Sequence, residues 1–102
     1  MSVAMIITDR NSEKRMIPVA TEQTYEDVWQ AGARALGLEW VELMQTGVDI
    51  TAENRPAIVD ELNKLGVWFE EHGHSYERVR LTTLLGEIEA LRFEDVSRAW
   101  VG

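Results

Sequence analysis

The feature that most constrains this chain is a pair of apolar stripes at helical spacing separated by one short polar break. Ile58, Val59, Leu62, Leu65, Gly66 and Phe69 form the first stripe, and Val79, Leu81, Leu84, Leu85, Ile88 and Leu91 the second. Recurrence at three- and four-residue intervals marks one face of a helix, so two long helices are expected, over residues 55–72 and 76–91. Pro56 fits only the first turn of its helix, and Thr51 or Asn54 is placed to cap it. The break between the stripes is "EEHGHSYE", residues 70–77. Gly73 suits the left-handed residue that ends a helix, and His72 suits the last turn, where a cation complements the dipole. Ser75 is the expected N-cap of the second helix, with Glu77 in its first turn and His74 before the cap, turned toward Val79. A connection this short makes the helices antiparallel neighbours.

Upstream, two apolar runs flank a polar loop. Val3 to Thr8 and Met16 to Val19 surround "DRNSEK", in which Asp9, Asn11 and Ser12 supply turn chemistry. They predict a β-hairpin over residues 3–20, with Pro18 placing the second strand at an edge or a bulge. Tyr25, Val28, Trp29, Gly32 and Leu36 trace a further amphipathic helix over 25–36, with Thr24 as its cap and Gly37 as its stop. Residues 38–44 fit a short helix and a strand equally. Residues 93–102 are expected to be a docked tail, with Phe93, Val96 and Trp100 at helical spacing, although a strand is also open there.

The fold class that follows is α+β: a small single domain, spanning residues 1–102, in which an N-terminal β-hairpin packs on three to four helices with a central antiparallel helix pair. A length of 102 residues leaves no room for a second domain, and a chain with 45% hydrophobic and 27% charged residues is globular in composition. A lone hairpin is marginal and its edge invites pairing, so a homodimer is one expected state.

Composition narrows function mainly by exclusion. The chain has no cysteine, which removes disulfide scaffolds, thiolate metal sites and thiol catalysis. Asp9, Arg10, Glu13, Lys14 and Arg15 interrupt any early apolar run, so neither a leader nor a membrane span is expected, and a cytoplasmic location follows. Eighteen acidic against ten basic residues give a net charge of −8. That argues against a direct phosphate-backbone contact and for solubility or a partner with a basic face.

Few residues suggest chemistry. His72 and His74, one residue apart, are the only histidines, and a metal there would need Glu71 or Glu77 to complete the ligand set. Each of these residues already has a local role in a helix–helix corner. A Ser75–His–Glu77 arrangement lacks the strand-to-helix elbow that exposes a nucleophile. Glycine spacings match neither a Walker nor a dinucleotide loop, and no cofactor is implied. Adjacent carboxylates such as Asp60/Glu61 diverge by about 100° on a helix and describe solvated faces. Gly32 and Gly66 on apolar stripes point to close helix approach, with Trp29 or Trp68 filling the facing space. Of the four tryptophans, Trp40 and Trp100 lie outside the clear stripes and are the candidates for partner contact.

Three classes of function therefore stand. The first is a non-catalytic protein-interaction module, including an acidic inhibitor or immunity-type protein that neutralises a basic partner. The second is a small-ligand- or metal-binding domain with its site between hairpin and helices. The third is an enzyme whose site is not visible in sequence.

Overall fold

The computed structural model describes residues 2–102. Strand β1 (Ser2–Asp9) and strand β2 (Lys14–Thr21) form the expected hairpin. Asp9 closes its turn: the Oδ1 atom accepts from the amides of Asn11 (2.8 Å) and Glu13 (3.0 Å), while Ser12 takes a left-handed φ of 65°. Val3, Met5, Ile7, Ile17 and Val19 alternate into the core. The register skips between Val3↔Ala20 and Ala4↔Pro18, leaving Val19 as the extra residue of a bulge. Pro18 thus sits beside a bulge and on an edge strand, the two settings that tolerate its missing N–H.

The hairpin is half of a larger sheet. Strand β4 (Val96–Val101) pairs antiparallel with the other side of β1, and the two-residue strand β3 (Val48–Asp49) pairs with β4, giving the order β2-β1-β4-β3. The helical spacing of Phe93, Val96 and Trp100 is therefore not the operative period. Ala99 and Val101 point into the core while Arg98 and Trp100 point away, the two-residue alternation of a strand. Gly102 extends the pairing by exchanging backbone bonds with Ala4 in both directions.

Helix α1 spans residues 22–36 and contains a π-helical segment, Tyr25–Trp29. Its cap is Thr21, whose Oγ1 accepts from the Thr24 amide at 3.1 Å, not Thr24. Tyr25 and Trp29, four residues apart on one face, both point inward, stacked at 5.3 Å, and the Trp29 ring meets Phe69 edge-on at 5.2 Å. Gly37, with φ 69°, ends the helix as expected, but Leu36 is 43% exposed instead of joining the stripe. Residues 38–44 resolve as a helix, α2 (Glu39–Met44), because Leu38, Val41 and Met44 are the buried set and recur every three residues.

Helices α3 (Arg55–Glu71) and α4 (Ser75–Glu89) form the central pair. Gly73 has φ 73°, and the two bonds of a Schellman stop are present: His74 N–H to the Phe69 carbonyl at 2.8 Å and Gly73 N–H to Glu70 at 3.4 Å. Two local expectations fail here. The N-cap of α4 is His74, without a side-chain bond, and Ser75 is already the first helical residue. Val79 is 66% exposed, because the buried line of α4 runs Glu77, Leu81, Leu84, Ile88. Two residues from either Glu77 or Leu81, Val79 points about 200° away from that line.

The helices cover one face of the sheet, and the core between them is continuous, from Met5, Val19 and Val101 to Leu62, Phe69 and Leu81. Strand β2 has no strand beyond it among the described residues, and it carries Lys14, Arg15, Pro18 and the bulge, devices that blunt an edge. Among the described residues no helix is long and apolar enough to cross a membrane.

Candidate interaction surface

Charge is unevenly distributed along the fold. Residues 22–71 hold eleven of the eighteen acidic side chains and only three basic ones, Arg34, Arg55 and Lys64. The flanks, which form β1, β2, α4 and β4, hold seven of each. The whole surplus of −8 therefore belongs to the segment that builds α1, α2 and α3, and these three helices pack on one another. Glu22, Glu26, Asp27, Glu39, Glu42, Glu70 and Glu71 are all exposed on it. Compensation comes from Lys64, paired with Asp60 at 3.0 Å, from Arg34, which approaches Glu26 at 3.6 Å, and from Arg98 of β4, paired with Asp49 at 2.7 Å.

One carboxylate of this layer is structural. Glu61 of α3 reaches the first turn of α2 and accepts from the Val41 amide at 3.1 Å, with the Trp40 amide as a second donor. Leu38, the N-cap of α2, offers no side-chain acceptor, so Glu61 does that work from another helix. Burial holds the Glu61 carboxyl above its ordinary value; the two amides oppose this, and the charges of Glu39 and Asp60 add to it. Nearby, Tyr25 donates its hydroxyl to the Val41 carbonyl, and burial, assisted by the Glu61 charge, pushes its ionisation far upward.

Among these acids lies a shallow groove of about 510 Å³ between the end of α1 and α3, lined by Leu36, Lys64, Val67, Trp68 and Glu71. Leu36 and Val67 are 43% and 52% exposed. Trp68 forms the floor because α1 approaches α3 at Gly32: a Cβ there would lie 2.5 Å from Leu65 Cδ1 and 2.8 Å from Trp68 Cε3. His72 stacks on the Trp68 ring at 4.2 Å, and its Nδ1 lies 2.8 Å from the Trp68 carbonyl, which can only accept; Nδ1 therefore carries the proton. His74 stacks on the same ring at 5.7 Å and meets Phe69 edge-on. His74 thus packs toward α3, not toward Val79. Among the described residues no three His, Cys, Asp or Glu side chains are grouped to hold a metal ion.

The two tryptophans expected to contact a partner lie elsewhere. Trp40 is partly buried on α2 against the core. Trp100 is on the far face of the sheet, against Gly47 and Gly102, with the Arg98 guanidinium 5.6 Å from its ring. The groove residues Leu36, Val67 and Trp68 were readable as core from their helical positions. Their signal was excess: Val67 and Trp68 make the end of α3 apolar nearly all round, more than one stripe needs. Comparison with models of protein families, with curated proteins and with solved structures found no match.

Proposed function

We propose that this chain is a protein-interaction module that binds a basic partner through its acidic helical layer, with an apolar side chain of the partner seated in the Leu36–Val67–Trp68 groove. The observation that carries the reading is the coincidence of two features on α1–α3: most of the net negative charge and an exposed apolar groove. An apolar anchor inside a polar rim is how a small interface concentrates its energy, and like-signed rim charges steer a partner of opposite sign. An inhibitor of a basic protein fits this arrangement.

A lysine- and leucine-rich amphipathic helical peptide is a suitable probe, followed by tryptophan fluorescence. Saturable binding is expected that weakens steeply with salt, since the screening length falls from about 10 Å at 0.1 M to about 3 Å at 1 M. Leu36→Ser/Val67→Ser and Glu70→Lys/Glu71→Lys variants should each weaken it by tenfold or more. Binding that ignores salt, or that both variants retain in full, would refute the assignment.

A further inference from the structure

On the other side of the molecule, a cavity of about 190 Å³ opens between β2 and the start of α4. Pro18, Val19 and Thr21 line one wall, and Tyr76, Glu77 and Arg80 the other. Glu77 is 8% exposed, yet among the described residues its carboxylate forms one hydrogen bond, from Trp29 Nε1 to Oε1 at 2.6 Å. A carboxylate has about four acceptor sites, and Oε2, which is not among the buried unpartnered atoms, is an acceptor open to the cavity. Arg80, three residues on and therefore on the same side of α4, directs Nε and Nη2 to the Tyr76 hydroxyl at 3.2 and 2.8 Å. Neither Glu77 nor Arg80 forms an ion pair among the described residues. The cavity thus has an anion and a cation in one wall, and the two do not neutralise each other.

The backbone around it is irregular on two sides. The β2 bulge places its extra residue, Val19, in one wall, and the π segment of α1 ends on Trp29, whose indole N–H holds Glu77. Bulges and π segments both recur beside functional sites, where they re-aim side chains. Ser2, Thr21 and Thr24 add hydroxyls at the lining.

We propose that this cavity binds a small zwitterion, in class a free amino acid, with its ammonium group on Glu77 and its carboxylate on Arg80. A simple amine would leave unused the Arg80 N–H donors that Tyr76 does not take, and a simple anion would be repelled by Glu77. A metal ion would find no second Asp, Glu or His among the lining residues. The volume suits a molecule of glycine or alanine size, since drug-sized ligands occupy roughly 300–1,000 Å³.

The test follows the Trp29 indole N–H resonance by NMR during titration with glycine and L-alanine. Ethylammonium chloride and sodium acetate serve as half-ligands, and Glu77→Gln and Arg80→Gln as variants. The amide of Glu77→Gln retains an acceptor for Trp29, and Arg80 is partly exposed, so its variant tests the site even if the first fails to fold. Glycine or alanine should shift the resonance saturably and bind at least tenfold more tightly than either half-ligand, and each folded variant should lose tenfold or more. Absence of a saturable shift with both amino acids overturns the proposal. So does a half-ligand that binds as tightly, or an Arg80→Gln protein that binds as the wild type does.

Discussion

Replacing each helical glycine of the α1–α3–α4 layer by alanine separates backbone propensity from packing, because the gain is shared and the surroundings differ. Inside a helix, alanine is favoured over glycine by about 1 kcal/mol. At Gly86 a Cβ meets nothing within 4 Å, so Gly86→Ala should keep most of that gain, about 0.5–1 kcal/mol. At Gly66 the nearest atom is Arg78 Nη1 at 2.7 Å, the far end of a flexible side chain, with Leu81 Cδ2 at 3.3 Å. Movement of Arg78 offsets the gain, and Gly66→Ala should stay within about 0.5 kcal/mol of wild type. At Gly32 the obstacles are Leu65 Cδ1 at 2.5 Å and Trp68 Cε3 at 2.8 Å; Leu65 is fully buried. Overpacking of this kind costs about 1–3 kcal/mol, and two contacts below 3 Å put it in the upper half, leaving a net loss of about 1–2 kcal/mol.

Urea denaturation reports these differences as shifts in midpoint, and thermal unfolding as shifts of about 4–8 °C per kcal/mol for a domain this size. The expected order of stability is Gly86→Ala, then wild type and Gly66→Ala together, then Gly32→Ala. Combining Gly32→Ala with Leu65→Val relieves the closer contact, so the two changes should couple favourably by more than about 0.5 kcal/mol. A Gly32→Ala protein as stable as wild type would show that α1 and α3 are not held apart by a filled contact, and the account of the groove floor would fall with it.

Further outcomes follow from the caps and the carboxylates. Ser75→Ala should change stability by less than about 0.5 kcal/mol because Ser75 caps nothing, whereas Gly73→Ala should lose about 1–2 kcal/mol at its left-handed φ of 73°; denaturant midpoints check both. Arg15, hydrogen-bonded to Glu87 Oε2 at 2.7 Å, holds the Glu87 carboxyl below its ordinary 4.5. Its contribution is thus present above the unfolded value and lost as pH falls through the folded one. Glu87→Gln should forfeit no more than about 0.2–1 kcal/mol at pH 7, and nothing in acid. Glu61 runs the other way: its carboxyl is raised, so the native state holds the proton longer and the group weakens the fold as pH rises through the range above 4.5. Glu61→Gln, which keeps an acceptor for Val41, should flatten that part of a stability–pH curve; an unchanged curve would contradict the burial of Glu61.

The parts of the fold legible in sequence are those governed by local periodicity. The stripes of α3 and α4, the glycine stop at residue 73 and the turn chemistry of Asp9 each depend on residues a few positions apart. What escaped depends on distant partners. The pairing of β4 with β1 joins the two ends of the chain, and its short strand has only Ala99 and Val101 as inward residues, too few to outweigh a coincidental helical spacing. The early start of α1 turns on Thr21 acting as cap, which Thr24 imitates in sequence. Glu77 looked like a first-turn acid and is also that, but its burial follows from Trp29, 48 residues away. The groove was obscured for a related reason: Leu36 and Val67 carry the right chemistry for a core, and only the helix packing leaves them outside it.

Segregated charge bears on why such a layer exists. Solubility requires net charge but no particular placement, and dispersing eighteen acids among ten bases over the whole surface would serve it with less self-repulsion. Here the flanks are balanced and the surplus falls within residues 22–71, chiefly on α1–α3, where Glu39 and Asp60 act on the partly buried Glu61. The same helices expose Leu36, Leu43 and Val67, apolar groups that solubility alone disfavours. Both features carry a cost in the free protein, and a basic partner with an apolar anchor removes both at once, by neutralising the rim and covering the groove. Under the function proposed above, one kind of contact relieves both liabilities, which solubility alone would not do.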